Sequence, residues 1–477
     1  MRIASRHYSD DGHLAEIERR LEQSPQAIEV LFERACCLED LGWDEAASQA
    51  YLSVLQYDPR HLGALTNLGL MVSQRGDTAN ARALFTQALT HHPIATIAHV
   101  NLGQALLEQG EVASAEAQFI AALGLDPDFF AAHHGLALLY ERIGDPLRAE
   151  RQLERAFEKR AAWTLPYTGT ATPLRVLLLV SARGGDIVTH PFLDDRIMQT
   201  TMFVPEGFRS GMTLPAHDVV FNGIGDADRC RKSLERARPL LDVTRARVIN
   251  APERVLATAR DETAERLGQI PGVVVPRTER FARNAITAAN MTERGWKFPL
   301  LVRAPGYQAG RHFERADEPD ALADALARVP GDELFAIEFV DTRDADGCVR
   351  KYRVLFIDGR VYPVHLAISN AWKVHYFSAD MAERSDHRAE EGRFLAGMRG
   401  ILGVPAMAAL EEIARMLDLD YGGIDFGIDA AGNVVVFEAN ATMAVYPPAG
   451  DLYAYRRPAF DAVIGAVRDM IAARSAT

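Results

Sequence analysis

The chain has 477 residues, of which 48% are hydrophobic and 25% are charged, and this composition predicts a globular protein of about two to four domains. Its net charge of −13 argues against a general nucleic-acid binder and against a membrane-surface protein. The four cysteines include no CxxC pair and fit neither a disulfide framework nor a zinc site, and the sequence shows no apolar run of membrane-spanning length. We therefore expect a cytoplasmic protein.

The first third of the chain repeats with a step of 34 residues. The step links recurring glycines, alanines, large apolar residues and prolines: Gly42, Gly76, Gly110 and Gly144; Ala47, Ala81, Ala115 and Ala149; Tyr51, Phe85, Phe119 and Leu153; Pro59, Pro93 and Pro127. The pattern resembles four tetratricopeptide (TPR) repeats over residues 28–161, preceded by a helix around Leu14–Leu21. The resemblance implies a peptide or protein partner on the concave face, or else a platform for dimerisation or for packing against the next domain.

A linker and a buried sheet are predicted next. The segment Trp163–Pro173 has the Pro, Thr and Gly composition of a linker. Leu174–Val180 is a nearly continuous apolar run, typical of a parallel strand that is covered on both faces. Two shorter runs, Asp218–Asn222 and Arg247–Asn250, have the composition of further strands, and each ends in asparagine.

Ligands of open α/β sheets bind at the carboxyl ends of the strands. The segments Ser181–Asp186 and Asn222–Asp226 follow two of the predicted strands. They are therefore candidates to line a substrate pocket, and Asn222 is the residue that we select for substrate contact.

The middle of the chain predicts a helix and two strands. Val255–Leu267 has a helical pattern, and Gly272–Val275 has the composition of a short strand. Phe298–Arg303 has the pattern of a strand that ends in a cation, followed by the glycine-containing loop Ala304–Arg311. The loop is either a plain turn or, as the family resemblance described below implies, a loop that binds phosphate.

Three more strands are predicted after residue 330. Leu334–Val340 is an apolar strand that ends beside acidic residues, and Arg350–Ile357 with Arg360–His365 form a hairpin around Asp358-Gly359. Lys351 and Arg353 lie two residues apart and therefore share one face of their strand. Their charges either lie beside a phosphate group or are simply exposed to solvent on the strand.

The segment Ala367–Met381 is dense in aromatic and basic residues. The family resemblance described below implies that Trp372, Lys373 and His375 contact an acceptor substrate, and the alternative is a core position for Trp372 and Tyr376. The segments Leu410–Leu417 and Phe460–Arg474 are predicted helices.

The most informative stretch is a second hairpin, in which Gly423–Ile428 and Val434–Phe437 are joined by the turn residues Asp429–Asn433. Glu438 and Asn440 share one face of the second strand, and the hairpin register places Asp425 opposite them. Burying two carboxylates costs several kcal/mol unless cations or donors compensate. Carboxylate and amide oxygens suit Mg²⁺, so these residues form a candidate magnesium site. The alternative is an ordinary hairpin in which Glu438 lies at a solvent-exposed edge.

The stretch IDFGIDAAGNVVVFEANA resembles the metal-binding signature of ATP-grasp ligases, the superfamily that contains glutathione synthetase, D-alanine–D-alanine ligase and the ribosomal-protein glutamate ligases. The resemblance implies that Asp425, Glu438 and Asn440 hold magnesium, or manganese in its place, against the phosphates of ATP. It also implies that Arg353 lies near the transferred phosphate.

The same resemblance extends to the inter-lobe hinge of that superfamily. It implies that Glu338, Phe339 and Val340 contact adenine and that Asp341 contacts ribose, with Asp344 and Asp346 as competitors for the ribose role.

Two phosphate-binding lysines of the superfamily are replaced in this chain. Arg303 stands in place of one, with Arg311 and His312 as neighbouring candidates. Glu262 stands in place of the other, so Arg260 is the candidate substitute. Arginine keeps the charge of lysine but presents a planar fork of donors.

We therefore expect an all-α TPR superhelix followed by an α+β ATP-grasp fold with a preceding small α/β domain. The expected domains are residues 1–162, a linker at 163–173, an α/β domain at 174–254, an N-lobe at 255–335 and a C-lobe at 336–477. The resemblance implies a ligase that uses ATP and magnesium to join a small carboxylate to an amine through an acyl phosphate, with Arg303, Arg353 and Lys351 in catalysis and a peptide or protein bound by the TPR region.

Two alternatives remain open. The replaced lysines are compatible with a degenerate fold that serves as a scaffold beside a TPR adaptor. A kinase-type protein would share the phosphoryl-transfer half of the reaction. The sequence leaves a homodimer possible.

Overall fold

The computed structural model describes residues 11–158, 161–305, 310, 312–374, 379–448 and 450–475. The chain forms two compact units. Unit 1 consists of Met1–Trp163 and Glu206–Met212, and unit 2 consists of Thr164–Pro205 and Thr213–Thr477. A helical region is thus followed by a region that mixes helices and sheets.

Unit 1 contains a series of helices joined by short turns. They are α1 (Asp11–Gln23), α2 (Ile28–Asp40), α3 (Asp44–Tyr57), α4 (Leu62–Gln74), α5 (Thr78–His91), α6 (Thr96–Glu108), α7 (Val112–Leu125), α8 (Phe130–Arg142) and α9 (Pro146–Phe157). After α1, successive helices pack in pairs as hairpins, from α2 with α3 to α8 with α9. The prediction of helical repeats preceded by one helix is confirmed.

The repeated small residues are required by the packing of these hairpins. The turn glycines Gly42, Gly76, Gly110 and Gly144 all have positive φ angles, between 74° and 89°, which side chains with a Cβ rarely adopt. On α4, a Cβ added to Gly69 would lie 2.5 Å from the buried ring of Phe85 on α5. The repeat of 34 residues therefore arises because each hairpin needs a glycine at its turn and a small residue where its two helices meet.

The described residues of unit 2 form three sheets and several helices. From the unit boundary onward, the strands are β1 (Ala162–Thr164), β2 (Leu174–Leu179), β3 (Met198–Phe203), β4 (Val219–Asn222), β5 (Arg247–Ile249), β6 (Val273–Val274), β7 (Thr278–Ala282), β8 (Leu300–Arg303), β9 (Phe313–Ala316), β10 (Glu333–Glu338), β11 (Val349–Ile357), β12 (Arg360–Ser369), β13 (Tyr421–Ile428) and β14 (Val434–Asn440). The helices are α10 (Arg231–Leu241), α11 (Pro252–Leu256), α12 (Arg260–Leu267), α13 (Ala288–Glu293), α14 (Leu322–Ala327), α15 (Ser385–Leu417) and α16 (Arg457–Ser475).

The first sheet is parallel, with β3, β2, β4 and β5 side by side in that order. The predicted strands at β2, β4 and β5 are confirmed. Strand β3 was not predicted, because Gln199, Thr200 and Thr201 interrupt its apolar pattern. The predicted linker begins inside this fold, since the backbone N–H of Leu165 donates to the carbonyl of Thr200 at 2.8 Å.

The second sheet is antiparallel, in the order β7, β10, β8 and β9. The third has the order β12, β11, β13, β14 and β6, and it is antiparallel except between β14 and β6. Both predicted hairpins are confirmed in this third sheet. Asp358 and Gly359 at the first turn have φ angles of 52° and 73°, as a tight Asp-Gly turn requires.

Two helix predictions need correction. Val255–Leu267 is not one helix, because Ala259 is extended with a ψ of 140° and separates α11 from α12. The predicted helix Leu410–Leu417 is the last part of the much longer α15.

Among the described helices, α15 alone has the length and composition that would suffice to cross a membrane, which was not expected from the sequence. It is not continuous, since the backbone of Gly397 and Gly403 leaves the helical conformation. Its side chains Phe394, Leu410 and Ile413 are buried.

Candidate functional site

The third sheet holds a buried carboxylate between two cations. In the pairing of β11 with β13, Arg353 lies opposite Asp425, which is 1% exposed. The Arg353 guanidinium donates to both oxygens of Asp425, at 2.6 Å from Nε and 2.9 Å from Nη2. Lys351, two residues earlier on β11, places its Nζ 2.6 Å from Asp425 Oδ2. The predicted shared face of Lys351 and Arg353 is confirmed.

The ionisation states of Asp425, Arg353 and Lys351 depend on one another. Burial disfavours ionisation of Asp425, but Arg353 and Lys351 outweigh it and hold the pKa of this carboxyl well below its usual range. Burial also disfavours the charged form of Arg353, and Asp425 outweighs it and raises the pKa of that guanidinium. Asp425 is therefore ionised at neutral pH.

A second carboxylate lies next to the first. Glu438 on β14 is the strand partner of Asp425, beside a bulge in the pairing. Its Oε1 accepts hydrogen bonds from Arg260 Nη2 at 3.0 Å and from Asn440 Nδ2 at 3.1 Å, and Arg303 Nη2 lies 3.9 Å away. Burial opposes ionisation, but Arg260 and then Arg303 keep the pKa of Glu438 below its usual value. Burial and the neighbouring Arg260 lower the pKa of Arg303 to about 10.

A glycine sets how closely the strands of this cluster approach. A Cβ on Gly423 of β13 would lie 2.4 Å from the carbonyl oxygen of Val354 on β11. Only glycine permits this close approach between β13 and β11. The approach lets side chains from β11, β13 and β14 meet in one cluster. The resulting charge cluster, defined as Asp425, Glu438, Lys351, Arg353, Arg260 and Arg303, holds four cations and two carboxylates. Its positive excess suits an anionic ligand.

The charge cluster faces a cavity of about 1140 Å³ that opens to solvent, here called the central cavity. The residues predicted to bind cofactor or substrate that line it are Arg260, Arg303, Glu338, Phe339, Val340, Asp341, Lys351, Arg353, Trp372, Lys373, Asp425 and Glu438. Sequence segments more than a hundred residues apart thus meet at one opening.

Aromatic side chains also line the central cavity, and together they are here called the aromatic wall. The ring of Trp372 packs edge-on against Phe313 and Phe339, with centroid distances of 5.5 and 6.3 Å. All three rings line the cavity together with the apolar side chains Leu301 and Ile337. The lining of the central cavity therefore combines a wall suited to a flat apolar group with a cluster of cations.

A second cavity of about 730 Å³, here called the side cavity, shares Arg260, Arg303 and Glu438 with the first. Asn440 lines this side cavity and is absent from the lining of the central one. Asp226, from the predicted segment Asn222–Asp226, lines it as well.

Asp228 and Thr258 also line the side cavity and were not predicted from the sequence. The Asp228 carboxylate accepts a hydrogen bond from Arg280 at 2.8 Å. Asp228 follows the end of β4 by six residues, so the strand-end rule that selected Asn222–Asp226 would have reached it with a longer window.

Asn222 lines neither the central cavity nor the side cavity, and its role as a substrate residue stays a prediction. Its side chain is fully buried; Nδ2 donates to the carbonyl of Asn250, and Oδ1 accepts from the backbone N–H of Ile224. Asn222, which ends β4, and Asn250, which follows β5, thus fix the backbone at the carboxyl end of the sheet.

Several other predicted candidates lie elsewhere. Asp344 and Asp346, considered for ribose, pair with Arg350. Glu262, which replaces a family lysine, is exposed and pairs with Arg231 at 3.3 Å.

His375, Tyr376 and Arg311 lie outside the described residues. The candidate loop Ser181–Asp186 does not line either cavity with its described residues, and the backbone N–H of Ser181 donates to Asp186.

The predicted metal ligands fit a hard divalent cation in kind, since all three present oxygen. Among the described residues, no group of three or more His, Cys, Asp and Glu side chains is placed to hold a metal ion; the predicted set has two carboxylates and an amide. Asn440 Oδ1 accepts from the backbone N–H and the hydroxyl of Thr442, each at 2.9 Å. A cation would therefore bind here only when some of these donors take another acceptor.

Comparisons with known proteins concern the N-terminal region. A sequence profile of the tetratricopeptide repeat matches residues 38–95, 68–128 and 100–166, so this region contains TPR repeats. No curated protein matches the chain.

Three solved structures illustrate the structural likeness. MamA from Desulfovibrio magneticus RS-1 is 20% identical over 31% of this chain and 84% of its own length, with a TM-score of 0.29. TTC0263, a TPR protein of Thermus thermophilus, is 27% identical over 31% of this chain and 82% of its own, with a TM-score of 0.29. PilW, a type IV pilus biogenesis factor, is 25% identical over 30% of this chain and 67% of its own, with a TM-score of 0.29.

Proposed function

We propose that unit 2 is an ATP- and magnesium-dependent ligase that joins a carboxylate to an amine, and that the TPR repeats of unit 1 bind the peptide or protein that supplies one of these groups. The observation that carries the proposal is the charge cluster in the lining of the central cavity, which also contains the aromatic wall and the backbone at the end of β10. A nucleoside triphosphate has the matching form, with a flat base and a polyanionic tail.

The chain's own side chains would bind this ligand in defined ways. Glu338 ends β10, Val340 follows it, and both line the cavity, so their backbone groups are candidates for the base. Arg303, Lys351 and Arg353 would bind phosphate oxygens, for which a guanidinium offers a two-pronged contact and lysine a point charge.

Phosphate would also change the pairing inside the charge cluster. Lys351 and Arg353 would gain a second anionic acceptor, which frees oxygens of Asp425. Asp425, Glu438 and Asn440 would then hold magnesium, or manganese in its place, and the ion would neutralise charge on the β- and γ-phosphates. Metal binding is therefore expected to require the nucleotide.

The side cavity would hold the carboxylate substrate, because it meets the central cavity at Arg260, Arg303 and Glu438. An oxygen of that carboxylate attacks the γ-phosphorus, the bond from that phosphorus to the bridging oxygen breaks, and ADP leaves. The amine nitrogen then attacks the acyl carbon, inorganic phosphate departs with the bonding pair, and the nitrogen loses a proton. Arg303 and Arg353 would stabilise the charge on the moving phosphoryl group.

Hydroxylamine tests the central intermediate. An acyl phosphate reacts with hydroxylamine to give a hydroxamate, whereas the phosphorylated alcohol made by a kinase does not. With ATP, magnesium and a panel of carboxylates and peptides, the ligase proposal predicts hydroxamate together with ADP. Release of ADP with a stable phosphorylated product and no hydroxamate would favour the kinase alternative.

The scaffold alternative has one observation in its favour: Asp425 is already neutralised by Lys351 and Arg353 without any ligand. A scaffold of this kind would bind neither ATP nor magnesium. Nucleotide binding by the intact chain therefore separates the two functions.

The part played by unit 1 can be tested by deletion of residues 1–165. The proposal predicts that the shortened chain still binds ATP and loses turnover of the peptide or protein substrate. Unchanged turnover of that macromolecule would refute substrate recruitment by the TPR repeats.

A further inference from the structure

The two carboxylates of the charge cluster differ in how far their oxygens are occupied. Both oxygens of Asp425 accept hydrogen bonds from Arg353, and Lys351 Nζ lies 2.6 Å from Oδ2 as well. The hydrogen bonds that Glu438 accepts from described side chains all reach Oε1, and none from this part of the chain reaches Oε2. Glu438 also lines both cavities. One carboxylate thus has an oxygen open to a further cation, while the other is already held by two cations.

Lys351 is held firmly in its place beside Asp425. Strand β11 lies between β12 and β13 in the third sheet, and Lys351 itself pairs with Ala367 on β12. Its side chain is 16% exposed and lines the central cavity. An ammonium group carries three donors, so Lys351 has donors for phosphate oxygens while it stays beside Asp425. A metal ion that joins a carboxylate to a phosphate makes the same link.

The charge of the site limits how many metal ions it takes. The charge cluster has four cations and two carboxylates, an excess of two positive charges. Among the other charged side chains in the lining of the central cavity, Glu338 offsets Lys373, and Asp341 is paired with Arg343.

A nucleoside triphosphate brings about four negative charges when its terminal phosphate is fully ionised. One divalent cation bound with it leaves the charge cluster close to neutral. A second divalent cation would leave a positive excess in a largely buried site, which is unfavourable because buried charge needs a partner.

We propose that unit 2 holds a single divalent cation with its nucleotide, and that Lys351 takes the part of the second metal ion found in two-metal phosphoryl-transfer sites. The inference rests on the proposed function and goes beyond it, because it fixes the number of metal ions. The single ion would be held through the open oxygen of Glu438, and Asp425 would join it once Arg353 turns to phosphate. Lys351 stays beside Asp425 throughout.

The competing arrangement has two metal ions. In that case the phosphates draw Lys351 away from Asp425, and a second ion replaces it there. The two arrangements differ in the number of ions bound with each nucleotide. They also differ in the effect of the Lys351 charge, because only a lysine that stands in for a metal ion keeps the second ion out.

The experiment counts manganese ions by electron paramagnetic resonance, with the intact chain saturated with an ATP analogue whose β- and γ-phosphates are joined through nitrogen. It compares the wild type with K351R, K351M, K351E and the control K297M, whose lysine is exposed. The wild type, K351R and K297M are expected to bind a single ion with each analogue. K351E, which exchanges a cation for a carboxylate ligand, should bind a second ion and give a spin-coupled spectrum. K351M should bind a second ion at least about 10-fold more tightly than the wild type does, because one repelling charge is gone.

Two results would overturn this inference and leave the proposed function standing: a wild type that binds two ions with each analogue, or K351E and K351M that both stay at a single ion. A wild type that does not bind the analogue, or binds it without manganese, would refute the proposed function and this inference with it. Thermal unfolding verifies that each variant is folded, and K351M, which keeps an apolar stem, serves where glutamate disrupts the fold.

Discussion

The TPR hairpins and the charge cluster are held together over very different distances along the chain. In unit 1, Asn67 donates to the hydroxyl of Tyr51, 16 residues away, and Gly69 packs against Phe85 of the same hairpin. In unit 2, Arg353 and Asp425 are 72 residues apart, and Arg260 and Glu438 are 178 apart. The first region is built from neighbours, and the second from distant segments.

This difference predicts how each region responds to substitution. A change in one TPR hairpin alters apolar contacts with its neighbours, and the stability of a repeat array is approximately a sum over such neighbours. A change in the charge cluster leaves a buried charge without its partner, and the cost falls on several distant segments at once. Substitutions in the two regions test this contrast, and their expected effects differ in size.

The largest effect is expected from Asp425→Ala. Lys351 and Arg353 would lose the carboxylate that compensates both of them, and breaking a buried pair in this way costs about 3–5 kcal/mol. Hydrogen exchange measured by mass spectrometry should show faster exchange across the third sheet and unchanged protection in α2–α9. The control Glu412→Ala removes an exposed pair with Arg415, and it is expected to leave stability nearly unchanged because solvent screens exposed ion pairs.

A smaller effect, confined to the other region, is expected from Gly69→Ala. The new Cβ would lie 2.5 Å from the Phe85 ring, and overpacking of this kind costs about 1–3 kcal/mol. The matched control is Gly124→Ala on α7, where a Cβ meets nothing within 4 Å; it should stabilise the helix by up to about 1 kcal/mol. Loss of protection in unit 2 upon Gly69→Ala would contradict the contrast between the regions.

Acid should weaken the cluster through His365, which is the strand neighbour of Arg353 on β12. Burial, followed by Arg353, lowers the pKa of His365 well below its usual value, while Asp425 acts in the other direction. The unfolded chain then binds a proton as the pH falls below about 6.5, and the folded chain does not, so stability decreases with falling pH.

Between pH 7.5 and 5.5 the expected loss from His365 is about 1.4 kcal/mol in the free energy of unfolding. His365→Gln, which has no titrating group in this range, should lack that part of the pH dependence. Equal pH dependence in the variant and the wild type, measured by denaturant unfolding, would remove His365 as its source.

The sequence predicts those features that depend on residues close to one another along the chain. The turn residues Asp429–Asn433 and the period of two were enough to place Asp425 opposite Glu438, and the glycine period was enough for the repeats. The pairing of β11 with β13, which joins Arg353 to Asp425, has no local signal, because any of several strands could have been the neighbour.

The features that the sequence does not show depend on distant contacts or on breaks in a local pattern. Asn222 ends a strand in the position where ligands bind, but Asn250, from the next strand, takes its amide as a hydrogen-bond partner. The helix α15 contains Gly397, Gly400, Gly403 and Pro405, which interrupt the helical pattern of the sequence, and its backbone leaves the helical conformation at Gly397 and Gly403.

Calorimetric titration of ATP with magnesium, for the wild type and Glu438→Ala, tests the central claim most directly. We predict binding of ATP that depends on magnesium in the wild type, and loss of that dependence when Glu438 no longer offers its oxygens. Failure of the wild type to bind ATP in the presence of magnesium would contradict the ligase proposal and leave unit 2 as a folded partner of the TPR repeats without nucleotide chemistry.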